Sequence, residues 1–270
     1  MKKRALNLLV LLCCLSATAS AEEYVFSTPP FLAAEQLTAM LNPLVSRLSK
    51  ETGNDIKLLL PENVDRYTAE ILHGNIVIGY ESPSLYVNIS NVHQAIASVV
   101  TAPHETQSKG IIISRPESGI SGIEDLKGKK IMIVSRSSAG GFLSQKLTLK
   151  EKGIDAEWDC QLSEAADHRE ENVIISVSVG DVDAGFISEN SLHDADQYIA
   201  PGSVTAIAET APLPNWVISV SRNMPQVQKD DIKEALLRLS LDDPAIKALR
   251  ISAFKSATDA DYDIIRDIIE

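Results

Sequence analysis

The chain is 270 residues long and 44% hydrophobic, and it carries 37 acidic side chains against 25 basic ones, a formal net charge of −12 at pH 7. That balance argues against binding to nucleic acid or to an anionic membrane surface, since both demand clustered Lys and Arg. The length allows one sizeable core or two smaller ones, and no low-complexity tract, heptad array or short repeat interrupts it.

Lys2, Lys3 and Arg4 open the chain, residues 5–15 are apolar apart from Asn7, and Ala17-Thr18-Ala19-Ser20-Ala21 supplies small residues. This pattern predicts an export leader cut after Ala21, and the apolar run is too short to span a bilayer. Neither Cys13 nor Cys14 follows a small residue, which sets a lipoprotein aside. Residues 22–270 then hold 22 basic and 37 acidic side chains, net −15, with Cys160 as their single cysteine. No internal disulfide is expected, and Cys160 reads as a small semi-buried apolar residue.

After residue 22 the chain alternates strand-like and helix-like segments, the pattern of an α/β protein with mainly parallel sheets. Tyr24-Val25-Phe26 begins a strand. Over 31–50 the apolar residues Leu37, Met40, Leu41, Leu44, Val45 and Leu48 recur at three and four, predicting an amphipathic helix that stops at Gly53. A strand at 56–60, a helix at 64–73 ended by Gly74 and a strand at 76–80 complete two β-α-β units. Further on, 110–114 is a strand, and Ser121-Gly122-Ile123-Glu124 matches a capping box opening a short helix. A strand at 130–135, a Ser/Gly-rich turn, a helix to about 152 and strands at 156–160 and 182–187 follow. The segment 173–179 is β-branched, yet it falls where the alternation requires a helix and is read as one.

From about Trp216 the pattern predicts one strand and then helices at 226–240, 244–255 and 259–269. A helical tail of that length is best placed if the chain crosses between two lobes twice, near 102–109 and near 201–210. Residues 22–105 and 206–270 then form a first lobe and 106–205 a second, with ligand in the cleft between them.

The most informative stretch is Val134-Ser135-Arg136-Ser137-Ser138-Ala139-Gly140-Gly141, between a strand and a helix. Free N–H groups at a helix start, small residues and two hydroxyls suit an oxyanion. Helix capping by Ser137 or Ser138 explains the same residues equally well. No Gly-Lys-Ser/Thr follows, so this is not a Walker motif.

Asp125-Leu126-Lys127-Gly128-Lys129, Ser137-Ser138-Ala139-Gly140-Gly141-Phe142-Leu143 and Gly153-Ile154-Asp155 resemble the phosphonate-binding proteins of ABC importers. That family also takes phosphate and phosphite. Asp65-Arg66-Tyr67, the stretch 74–83, Gly180-Asp181-Val182-Asp183-Ala184-Gly185 and Pro212-Leu213-Pro214-Asn215 extend the resemblance in the same order along the chain. It implies a two-lobed type II periplasmic-binding-protein fold, a periplasmic location, a monomer, a small oxyanion ligand and an ABC permease as partner. It implies no catalytic residue, cofactor or metal. Carried over, the ligand-binding positions are Tyr67, Ser137, Ser138, Ala139, Gly140 and His168, with Glu81 and Ser82 in the turn after the third strand. Ala139 replaces a family hydroxyl. Glu81 departs from the family's usual Gly-Pro there, and a carboxylate facing the cleft would suit an ammonium group on a zwitterionic ligand. Arg136 is a candidate cation beside the serine turn, and Arg66 reads as a surface residue.

Two other readings compete. The same clamp serves a membrane-bound sensor as readily as a permease. An exported hydrolase finds little support: Ser252-Ala-Phe-Lys255 fits Ser-x-x-Lys and falls on an expected helix, but no Lys-Thr-Gly or Gly-x-Ser-x-Gly accompanies it. The histidines at 73, 93, 104, 168 and 193 show no metal-ligand spacing.

Overall fold

The computed structural model describes residues 22–101, 107–193 and 195–269. The expected leader and most of the expected first crossing, 102–106, lie outside the described residues.

β1 (Glu23–Ser27), α1 (Ala34–Thr52), β2 (Asp55–Leu59), α2 (Val64–Leu72) and β3 (Ile78–Glu81) form the two β-α-β units, with β1 parallel to both β2 and β3. The apolar stripe of α1 (Leu37, Leu41, Leu44, Val45 and Leu48) is buried, and Gly53 ends the helix in the left-handed conformation. Asn63 caps α2 by accepting from the Arg66 amide. Next come α3 (Pro83–Ile89) and β4 (His93–Val100), for which the sequence pattern gave no element. Seven of the eight β4 residues are buried, so both of its faces are covered and the alternation that marks a half-exposed strand is missing.

A short ribbon joins the lobes. β5 (Gln107–Ser108) pairs antiparallel with β11 (Leu213–Pro214). Beyond it lie β6 (Gly110–Ser114), β7 (Lys130–Ile133), α4 (Ser144–Glu151), α5 (Ala156–Asp159), β8 (Gln161–Glu164), α6 (Glu170–Val179), β9 (Ala184–Ser188) and β10 (Thr205–Glu209). The second sheet runs β10-β6-β9-β7-β8. The return to the first lobe brings β12 (Val217–Ser221), α7 (Gln226–Leu237), α8 (Pro244–Leu249), β13 (Ala253–Ser256) and α9 (Asp263–Ile269), closing a six-stranded sheet in the order β13-β4-β12-β3-β1-β2. The sheets are mixed rather than mainly parallel, because β12 and β6 enter from the ribbon and run against their neighbours.

Several expectations need correction. Residues 156–159 are helical, because Asp155 accepts from the amides of Glu157 and Trp158, and the strand is displaced to β8. Asp125, not Glu124, reaches back to the amides of Ser121 and Gly122. Residues 205–209 are an edge strand of the second sheet, so the return crossing lies nearer 210–215. The expected helix 244–255 breaks at Arg250, whose φ is +55, and Ser252 to Lys255 runs into strand β13 instead. Segment 173–179 is helix, as the alternation requires, with Val173, Ile174 and Val177 buried.

The first lobe's largest core joins Phe26, Leu41, Leu48, Ile96 and Ile218 to Ile232, Leu236, Ile246 and Phe254 from the tail. The last helix departs from this plan. Tyr262 is held in the first lobe, its ring 4.8 Å from that of Tyr86 and its hydroxyl donating to the Asn215 carbonyl at 3.2 Å. Ile265 and Ile268, a few residues on, pack with Phe142, Leu149 and Ile154 in the second lobe's core. Thus 206–270 does not pack on the first lobe alone.

Candidate functional site

The serine turn follows β7 because that strand ends at the cleft edge of the second sheet. Ser138 accepts from the Gly141 amide at 3.0 Å and so caps a wide helical turn over Ala139–Leu143 that leads into α4. The capping role is real, yet a hydroxyl that accepts still has its own hydrogen to donate. Buried Gln145 fixes the turn from behind: its Nε2 lies 2.6 Å from the Gly140 carbonyl and 3.1 Å from those of Ile111 and Ile187. Gly140 must lack a side chain, since a Cβ there would sit 2.5 Å from Ser188 Oγ. The close approach places the turn against β9.

The first lobe meets this turn directly. Ser82 caps α3, and Ser84 donates to the Ser137 carbonyl at 2.8 Å across the cleft. The chamber so formed holds about 550 Å³ and is lined by Ser82, Ser84, Ser135, Ser137, Ser138, Ala139, Gly140, His168, Glu170, Ser188, Asn215 and Trp216 among others. None of its described lining residues is Lys or Arg. Arg136 points elsewhere, pairing with Glu157 and, at 3.6 Å, with Glu164. Arg66 pairs with Glu70 on the surface.

The structure therefore brings Ser82, Ser137, Ser138, Ala139, Gly140 and His168 to one cavity and sets Tyr67 and Glu81 behind it. His168 sits on the rim, its side chain 65% exposed and 3.4 Å from Glu164. It and Asp167 both adopt positive φ, +52 and +55, a strained pair of the kind found at binding sites. The residue that sequence reasoning missed is Glu170. Burial raises its pKa, and its carboxylate accepts from the amide and hydroxyl of Ser188. At the first position of an unclear helix it carried no motif that would have singled it out.

Tyr67 and Glu81 are both fully buried, and the tyrosine hydroxyl donates to Glu81 Oε1 at 2.6 Å. Gly79 makes room for them, because a Cβ there would lie 1.7 Å from Glu81 Oε1. Ser219 Oγ is 3.0 Å from the same oxygen and 2.7 Å from His93 Nδ1, and His93 Nε2 faces the Ile76 carbonyl at 3.2 Å. The contacts close with His93 and Glu81 both charged, Ser219 donating to the carboxylate, or with both neutral, Ser219 donating to Nδ1 and accepting from a protonated Glu81, and burial selects the neutral pair. It pushes Glu81 up to about 8 and His93 down to about 4. Glu81 Oε2 has no partner among the described residues.

Comparison with known proteins agrees with this architecture. The family model described as ABC transporter, phosphonate, periplasmic substrate-binding protein matches residues 26–262. A phosphate-import protein PhnD of Mycolicibacterium smegmatis is 21% identical over 270 residues, covering 88% of this chain and 82% of that protein. PhnD1 of Prochlorococcus marinus, solved in complex with methylphosphonate, superposes with a TM-score of 0.72 at 13% identity, covering 92% of this chain and 97% of that one. A Xanthomonas citri protein solved bound to ATP gives 0.74 at 18% identity, covering 93% of this chain and 100% of that one. The fold is that of type II periplasmic binding proteins.

Proposed function

The chain belongs to the phosphonate periplasmic substrate-binding proteins of ABC transporters, and from that premise we propose that it captures a small phosphonate- or phosphate-like oxyanion at the serine turn of its interlobe cleft. The family is one of periplasmic binding proteins that serve a permease, not of enzymes. The observation that carries the ligand reading is the serine turn itself, facing Ser82 and Ser84 in a chamber whose described lining includes no Lys or Arg. Several preorganised neutral donors replace the water an oxyanion loses. The proposed contacts are Ser82, Ser137, Ser138, Ala139, Gly140 and His168, while Tyr67 and Glu81 support the cleft wall from behind.

Glu170 refines the ligand class. A carboxylate beside oxyanion donors needs a hydrogen-bond donor from the ligand, so the site suits an oxyanion that also carries an ammonium group. The ammonium is thus met by Glu170 in place of the buried Glu81. Calorimetric titration with inorganic phosphate and an aminoalkylphosphonate tests this on the wild type and Glu170→Gln. The wild type prefers the zwitterion, and the variant loses that preference while still binding the simple anion. Tighter phosphate binding by the wild type would sink the refinement, and no binding of either would sink the site. The reading further includes a leader removed after Ala21 and a monomer that delivers to a permease. N-terminal sequencing of the exported protein and light scattering check those two points.

A further inference from the structure

The cleft has a second, outer chamber that a small oxyanion does not use. It holds about 660 Å³ and adjoins the inner one, with Pro30, Phe31, Asp167, His168 and Glu170 lining both. A methyl- or aminoethylphosphonate fits within the inner chamber alone, whereas cavities of this combined size accept much larger molecules.

The outer walls have a definite chemistry. Phe31 from the first lobe is 42% exposed and Tyr198 from the second 43%. The Phe31 ring stands 4.7 Å from Trp216, which in turn stands 4.9 Å from the buried Tyr80. An exposed ring braced by a row of rings loses little freedom when a ligand stacks on it. The charged lining residues are Asp167, Glu170 and Glu171 against Arg169. The Arg169 guanidinium is already committed to Glu171 at 2.8 Å, and His168 to Glu164. The chamber is acidic and aromatic at once.

We propose that the outer chamber is a subsite for the organic body of the ligand, and that this body is a planar ring carrying positive charge. The proposal rests on the oxyanion end lying at the serine turn. Ring faces attract cations through their quadrupole, and the acidic rim adds to that attraction. A neutral ring gains the stacking without the charge, and a short ammonium chain gains Glu170 while leaving Phe31 and Tyr198 uncovered.

Calorimetry on residues 22–270 with four probes separates these contributions: methylphosphonate, 2-aminoethylphosphonate, phenylphosphonate and thiamine monophosphate. Thiamine monophosphate, which joins a flat cation to a phosphate, binds about tenfold or more tighter than methylphosphonate and tighter than either intermediate probe. Phe31→Ala weakens thiamine monophosphate about tenfold, and Tyr198→Ala weakens it while leaving methylphosphonate unchanged. Equal affinity for methylphosphonate and thiamine monophosphate overturns the subsite while leaving the oxyanion site standing. Phenylphosphonate matching thiamine monophosphate removes the positive charge from the proposal and so overturns it as stated. Failure of all four probes to bind overturns both readings together.

Discussion

The two lobes each place hydroxyls and a carboxylate among apolar strands, and they do opposite things with them. In the first lobe Tyr67, Glu81 and Ser219 are fully buried, His93 is 1% exposed, and the four groups close on one another. In the second, Ser137, Ser138 and Glu170 meet a cavity, held in place by Gln145 and Ser188 rather than saturated by them. The Glu81 carboxyl group bonds only inside the protein, through Oε1 to Tyr67 and Ser219, and is kept neutral there by burial. A carboxylate that is propped at a cavity wall is left for a ligand. Residue type alone does not separate the two cases, since each lobe offers a serine and a glutamate.

The largest expected break in this comparison comes from Glu81→Ala. It strands the buried hydroxyl of Tyr67 and opens a hole beside it, and the loss is about 2–4 kcal/mol in a urea titration. Glu81→Gln keeps volume and polarity and loses far less. If the two variants melt alike, the buried chain from Tyr67 to His93 is not what holds β3, β4 and β12 together.

Stability against pH sharpens the same point. Glu81 is raised from 4.5 to about 8 on folding, so its contribution is complete below pH 4.5 and is lost as pH rises through 8. His93 is lowered from 6.5 to about 4, so its contribution is complete above pH 6.5 and is lost as pH falls through 4. Between pH 4.5 and 6.5 the folded pair, both neutral, holds as many protons as the unfolded pair, both charged, and the slopes offset. Between pH 6.5 and 8 only the folded state retains the proton, so this unit loses about 2 kcal/mol as pH rises. Melting temperature against pH should show that decline in the wild type. Glu81→Gln should be flat there and should instead rise with pH between 4 and 6.5.

Smaller effects are expected on the open side. Ser138→Ala removes the cap on the Gly141 amide and costs about 1 kcal/mol of stability without ligand. Its larger effect is on binding, so a variant that keeps full affinity would reduce Ser138 to a cap. His168→Gly relieves a strained positive φ and stabilises the free protein by up to about 1 kcal/mol, read as a higher melting temperature. Weaker ligand binding by the same variant would show that the strain serves to present the imidazole.

Much of the fold was legible because periodicity records burial. The α1 stripe and the two opening β-α-β units follow from spacing. β4 was missed because burial on both faces erases alternation, and the strand at 156–160 was misplaced because Asp155 happens to cap a helical turn. At the site, the serine turn was readable since small residues and hydroxyls between strand and helix have few other uses. Glu81 was misread for a physical reason. Its neighbour Ser82 does face the cleft, and successive residues leaving a strand point to opposite sides. Glu170 could not be found, because its role depends on Ser188 and on the turn at Gly140, both distant in sequence.

The crossing of α9 has a consequence for how the molecule comes to exist. The second lobe's sheet is built from one unbroken stretch of chain, yet Ile265 and Ile268 fill part of its core. A chain leaving a ribosome or an export channel N-terminus first has all the strands of that sheet long before it has those two side chains. The lobe must wait, with Phe142, Leu149 and Ile154 incompletely covered, until the final helix emerges. The last few residues to be made thus complete a core begun some 150 residues earlier, and the second lobe cannot reach its finished state ahead of the first.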